Sequence, residues 1–447
     1  MLPAIDVLRT QLVDRRLDAQ ALLATCLGNI EADAGEGSRV FPHGVSQAAQ
    51  TQAMASDALR RYGVAGPLAG IPISVKDLFD VQGEITRAGA RVLPEQPATR
   101  DAVSIGRLRA AGAVLVGRTN MTEFAYSGLG INPHYGTPVN PFDREVARIP
   151  GGSSSGAAVS VTDGMAAAAI GSDTGGSCRI PAALCGVVGF KPTASRIPLD
   201  GAVPLSCSYD SIGSMAPSVA CCASIDSIMA DEPDTPLPPV DLAGLRLAVP
   251  ANLVFDHIDA HVATTFERAI SRLAAAGVIV RDVEFGSWNA LTGLGQHGGL
   301  VAAEAWAWHV DLIARQANRY DPRVLSRIRF GSQQSTAEYQ RTKARRTLLC
   351  RQADVELQPF DAVVCPTVPI VAPRIVDLAD ESVYTSTNRL LLRNPAIANM
   401  LDLCALSVPC HEAGKAPVGL MLMGRHMGDR RLLAIGASVE AVLRQTG

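Results

Sequence analysis

The 447-residue chain contains no run of about 18 apolar residues, so nothing in it reads as a membrane span. None of its ten cysteines, at 26, 178, 185, 207, 221, 222, 350, 365, 404 and 410, forms a C-x-x-C pair, which argues against a zinc ribbon or a disulfide frame. Most of them read as small buried hydrophobes. A dense Lys/Arg block is also missing. With 40 basic and 43 acidic residues the formal charge is −3, and direct binding to nucleic acid is not expected. Asp6, Asp14, Arg15 and Arg16 stand where a secretory signal needs an apolar core, so no signal is readable and the cytoplasm is the expected location. There is no internal repeat and no low-complexity tract. A hydrophobic content of 47% and a charged content of 19% suit a chain folded throughout.

What is present is alternation. The segments GIPISVKD, AVLVGR, GVVGFKP, LRLAVP, VIVRDV, AVVCPT and GLMLMG read as strands. Between them AVSIGRLRAAG, AHVATTFERAISRLAAAG, TAEYQRTKARRTLLCRQADVEL and GDRRLLAIGASVEAVLRQ have helical spacing. This order implies a single large α/β domain whose mixed, mainly parallel β-sheet is covered by helices on both faces. The expected organisation is a helical segment over about 1–65, a core over about 66–230, a Pro/Asp-rich linker over about 231–242 and the second half of the same domain over 243–447. A second loop-rich stretch, 366–387, reads as a long connection that borders a pocket.

Residues 151–176 include 18 Gly, Ala or Ser out of 26, which permits close backbone approach to another segment or to a ligand. Gly151 and Gly156 have the spacing of a Walker loop, but Ala157 stands where its lysine belongs, and no complete G-x-G-x-x-G follows a strand. Patterns of the S-x-x-K and H-E-x-x-H type and metal-spaced His/Cys clusters are missing, so no metal site is expected. The GSSSG at 152–156 satisfies G-x-S-x-G with Ser154 at its centre, and His297, His309, His411 and His426 lie downstream. That motif needs a strand directly before it, whereas a loop ending in Pro150 precedes it. Lys76, at the end of the apolar strand IPISV, is a candidate base if desolvation keeps its amine neutral. The segment GSDTGGSCRIPAALCG at 171–186 offers two nucleophiles, Ser177 and Cys178, and by itself does not choose between them.

Three segments taken together, GIPISVKDLFDVQG (70–83), PGGSSSGAA (150–158) and GSDTGGSCRIPAALCGVVGFKPT (171–193), resemble the blocks of the amidase signature family in the family's order. The likeness extends through TRDAVSIGRLRAAGAVLVGRTNMTEFAYS, YDSIGSMAPSV and the late NPAIANMLDLCALSVPC to nearly the whole chain. It implies the amidase signature fold, with Lys76 as base, Ser153 as a bridging serine preceded by a cis peptide bond, and Ser177 as nucleophile. It implies an acyl-enzyme on Ser177 and cleavage of a carboxamide, with no metal or organic cofactor. Under this reading the backbone N–H groups of Thr174, Gly175, Gly176 and Ser177 form an oxyanion hole, and side chains at 175 and 176 would block it. Ala125 falls where relatives line the substrate pocket. Asp173 and Arg179 read as a buried ion pair that fixes the loop, and Cys178 as packing. The expected partner is a small-molecule amide, with no nucleic acid and no membrane, and a homodimer stays open. Two alternatives accompany this reading: the glutamine-hydrolysing component of an aminoacyl-tRNA amidotransferase, and a non-catalytic binding protein that keeps the fold.

Overall fold

The computed structural model describes residues 1–444 and builds them around one ten-stranded sheet. Its strands are β1 (Pro72–Lys76), β2 (Val114–Thr119), β3 (Ala168–Asp173), β4 (Val188–Lys191), β5 (Ser211–Ala216), β6 (Arg246–Pro250), β7 (Ile279–Val283), β8 (Ala362–Pro366), β9 (Cys404–Pro409) and β10 (Gly419–Gly424). They lie in the order β2-β1-β3-β5-β4-β9-β10-β8-β6-β7, so strands from both halves of the chain share one sheet.

The sheet is mixed. Parallel pairing joins β2-β1-β3 at one flank and β8-β6-β7 at the other, while the five pairings between these flanks are antiparallel. The parallel character expected from the alternation therefore belongs to the flanks. All seven segments with a strand-like pattern form strands, and three more, β3, β5 and β9, arise from AAIGSD, SIGSMA and CALSVP, which lack one. Their Gly, Ala and Ser content weakens the β-branched and aromatic signal that marks a strand.

Side-chain alternation sorts the sheet into two faces. On one face Ile73, Ile170, Leu406 and Leu422 pack against the helices Val103–Ala110, Val219–Met229, Ala260–Ala275 and Asp429–Arg444. On the other face Val116 and Ala169 meet the helices Ala19–Glu31, Ala49–Arg61 and Ser155–Thr162. Farther along that second face, Val363, Ala405 and Met421 meet the helices Thr336–Leu357 and Glu381–Met400. The edge strand β7 carries Arg281 and Asp282 and is partly exposed, which discourages pairing with another chain.

Helix starts follow side-chain caps. Ser335 and Glu338 form a reciprocal capping box at the head of Thr336–Leu357, as S-x-x-E predicts. The stretch 366–387 is loop only in its first part, because Asp380 accepts from the N–H groups of Ser382 (2.8 Å) and Val383 (3.0 Å) and starts the helix Glu381–Met400 there. Among the described residues no helix is long and apolar enough to cross a membrane.

Candidate active site

The parallel register of β1 on β3 pairs Val75 with Ile170, so the next positions bring Lys76 beside Ser172 at the C-terminal edge of both strands. In open α/β sheets ligands bind at such an edge. The antiparallel β5 begins there, with Ser211 opposite Asp173, so Asp210 arrives at the same edge.

Lys76 is 0% exposed, and its Nζ donates to Ser153 Oγ at 2.7 Å and to Ser172 Oγ at 2.8 Å. Burial pushes this amine down to about 8 from its ordinary 10.5, opposed in part by the negative charges of Asp173 and Asp210. The peptide bond between Gly152 and Ser153 is cis. Ser153 is held from outside the segment: its carbonyl accepts from Thr122 N at 3.0 Å, and Gly152 N donates to Gly128 O at 2.8 Å. Gly152 and Gly130 must both be glycine, since a Cβ on Gly152 would lie 2.4 Å from Gly130 N and one on Gly130 would lie 2.3 Å from Gly151 O.

Ser177 is 3% exposed and lines a cavity of about 600 Å³ together with Thr174, Gly175 and Ala125. Its hydroxyl has no hydrogen-bond partner among the described residues, so the structure joins Lys76 to Ser153 but leaves Ser177 unlinked to Ser153. Ala125 stands in the cavity wall, as expected, with a left-handed φ of 60°. Cys178 points elsewhere. Its Sγ packs into the sheet against Gly171 and Gly213, and burial raises its thiol far above the ordinary range.

Two expectations about the glycine loop need correction. The N–H of Gly176 donates to Asp173 Oδ1 at 2.8 Å, so this amide is committed to the loop and is not free for an oxyanion. An added Cβ on Gly175 would meet nothing nearer than Leu392 at 3.4 Å, so a side chain there is not excluded by its surroundings. Gly176 is different, because its φ of +127° and the 2.7 Å approach to Pro395 Cγ both demand glycine. The N–H groups of Thr174, Gly175 and Ser177 make no internal hydrogen bond among the described residues.

The buried pair is present. Arg179 donates through Nη2 to Asp173 Oδ1 at 2.9 Å and through Nε to Oδ2 at 3.1 Å, and both side chains are fully buried. Burial alone would raise the carboxyl, but the Arg179 guanidinium and a 3.0 Å hydrogen bond from Asn399 hold it well below the usual carboxylate range. Asp173→Ala strands the guanidinium without its counter-ion and is expected to destabilise the fold by about 3–5 kcal/mol. Urea denaturation at neutral pH checks this.

Several participants carry no signal in the sequence. Ser172, the second partner of Lys76, lies in a strand without a strand-like pattern. Thr174 Oγ1 donates to Asp210 Oδ1 at 2.5 Å, and Asp210 also accepts from the N–H groups of Leu205 and Ser206, which ties the loop to the start of β5. Burial pushes the Asp210 carboxyl up to about 6. Asn399 and the cavity-lining Arg327, Asn388 and Arg389 come from segments far away in sequence.

The candidates for a G-x-S-x-G elbow do not assemble. Ser154 is buried, follows a loop, and has only a 3.4 Å contact from its hydroxyl to Ser172 O. His309 is buried against Phe124 and Tyr320, with burial lowering it to about 4, and none of His297, His309, His411 or His426 lines the cavity at Ser177.

Comparison with known proteins agrees with this geometry. A family model described as Amidase matches residues 22–433. The chain is 37% identical over 436 residues to the 2-amino-5-chloromuconic acid deaminase of Comamonas testosteroni, covering 96% of this chain and 94% of that one. It is 34% identical to the glutamyl-tRNA(Gln) amidotransferase component of Symbiobacterium thermophilum that carries the same fold family, covering 87% of this chain and 86% of the relative. A crystal structure of an amidase superimposes with a TM-score of 0.88 at 31% identity, over 98% of this chain and 99% of that chain.

Proposed function

The chain belongs to the amidase family and is an amide-hydrolysing enzyme, and from that premise we propose that Ser177, Ser153 and Lys76 cleave a carboxamide to a carboxylate and ammonia or an amine. The observation that carries this reading is the fully buried Lys76 amine, lowered to about 8 and in contact with Ser153 at 2.7 Å. In its neutral form the amine has a lone pair for the Ser153 hydroxyl proton. Ser153 in turn takes the proton of Ser177 as the Ser177 oxygen attacks the amide carbon.

The tetrahedral oxyanion then accepts hydrogen bonds from the unengaged N–H groups of Thr174, Gly175 and Ser177. Each such donor is worth roughly 3–4 kcal/mol in comparable holes. Collapse breaks the C–N bond, and the leaving nitrogen takes its proton back through Ser153 from Lys76. Water attacks the ester on Ser177 through the same relay, giving the acid and the free serine. Ser172 holds the Lys76 amine in place throughout, and the Asp173–Arg179 pair holds the loop.

A glutamine-hydrolysing amidotransferase component is the competing reading, favoured by the 34% identity to the Symbiobacterium protein. Against it, no residue lining the cavity is acidic, so the α-ammonium of glutamine has no counter-charge there. Ammonia release from aliphatic, aryl, indolyl, amino-acid and urea-like amides, with Ser177→Ala as the blank, tests both readings. The expected result is Ser177-dependent release from simple carboxamides. Release from glutamine alone would reverse the choice, and no Ser177-dependent release from any amide would remove the proposed site.

A further inference from the structure

We propose that the amide this enzyme cleaves carries a second acid group, a carboxylate at the end remote from the amide, and that Arg389 binds it. The inference rests on the amide-hydrolysis reading of the same cavity and adds the class of substrate.

The cavity that reaches Ser177 has largely apolar walls, with Leu291, Leu294 and Leu300 on one side and the helix Glu381–Met400 on the other. Three arginines line it and no aspartate or glutamate does. None of the three has a carboxylate within ion-pair distance among the described residues, although the protein pairs many of its other arginines.

Two of these arginines are already occupied. Arg393 donates to the carbonyl of Asp256, to Val254 O at 2.6 Å and to Asn394 Oδ1 at 2.9 Å, so all edges of its guanidinium are engaged. Arg327 donates to Tyr126 O at 2.6 Å and lies over the Tyr384 ring at 5.1 Å. Arg389 is left. It is exposed at the cavity wall and has no hydrogen-bond, ion-pair or ring partner among the described residues.

A ligand that fills an apolar cavity displaces the water around such a cation, and a neutral ligand leaves the charge uncompensated. A carboxylate compensates it and matches the planar fork of a guanidinium with two parallel hydrogen bonds. With the amide carbon at Ser177 and the carboxylate at Arg389, the apolar walls fit the carbon chain between the two groups. The same charge pattern disfavours a substrate with an ammonium at that end.

The test compares two homologous series on the full-length protein: monoamides of dicarboxylic acids, and monocarboxylic amides of the same chain lengths. Wild type is expected to favour the carboxylated member by roughly tenfold or more in kcat/KM at its best chain length, the scale of a charge-assisted hydrogen bond. That preference should shrink as salt is added, since Arg389 is exposed. Arg389→Gln should bring the ratio between the two series close to unity, mainly through KM, and Arg389→Lys should restore part of it. Circular dichroism of each variant confirms that the fold is intact. A wild type without preference at any chain length, or a preference that survives Arg389→Gln, overturns the proposal while leaving amide hydrolysis in place. Absence of Ser177-dependent ammonia release in both series removes the amide reading and the proposal with it.

Discussion

Ser177→Ala is expected to lower kcat for amide hydrolysis by on the order of 10⁶-fold, the scale on which loss of a catalytic serine acts in serine hydrolases. Stability should hardly move, because the Ser177 hydroxyl faces the cavity and has no internal partner to lose. The neighbouring thiol should not rescue the reaction. A cysteine attacks as thiolate, and Cys178 is fully buried, with burial pushing its thiol far above the ordinary range. Cys178→Ala and Ser154→Ala are therefore expected to keep most of the activity. Mass spectrometry of an acid-quenched reaction with a slowly deacylated amide should find the acyl group on residue 177 of the peptide that holds both candidates. Activity that survives Ser177→Ala but disappears in Ser154→Ala, or an adduct on Cys178, would assign the nucleophile differently.

Legibility in the sequence follows the strength of local signals. Strands with β-branched and aliphatic runs such as PISVK and AVVCP are readable, and the helix Thr336–Leu357 is readable from end to end because its capping box and periodicity agree. The segment AAIGSD is not, since small residues have neither signal, yet this strand carries Ser172 and Asp173 into the site. Gly176 illustrates a different limit. The sequence shows a glycine where a loop turns, but whether its N–H points to a ligand or to Asp173 depends on a carboxylate three residues away that Arg179 and Asn399 hold in place. Asn399 and Arg389 are invisible in the sequence because their surroundings are chosen by packing across the sheet, over separations of more than 200 residues.

One signal in the composition bears on the base. The chain has only four lysines, at 76, 191, 343 and 415, and takes nearly all its positive charge from arginine. Two of the four, Lys76 and Lys191, are fully buried. Arginine cannot lose its proton in a protein, whereas a buried lysine readily does. A buried position that holds lysine in an arginine-rich chain is thus a position where deprotonation is useful, or where only a slender stem fits. Lys191 shows the second case, with its amine donating to Pro192 O and Leu403 O and touching no cavity residue. Lys76 meets a hydroxyl instead, which can give a proton.

Lys76→Met is accordingly expected to lower kcat by roughly 10²–10⁴-fold, the range for loss of a general base, while filling most of the space the lysine occupied. Lys76→Arg should be as inactive, since its cation is permanent. The wild-type rate should rise with pH and level off above an inflection near 8, because the buried amine must be neutral to accept a proton and burial has brought it down to about 8. Below the inflection each pH unit costs about tenfold. Two variants separate this assignment from an accidental titration. In Lys76→Met the limb should vanish. In Asp210→Asn it should move to lower pH, because Asp210 is ionised above about 6 and its negative charge favours the ammonium form of Lys76. A limb that persists unchanged in Lys76→Met would mean that another group titrates, and the proton of Ser153 would then need a different acceptor from the only amine within its reach among the described residues.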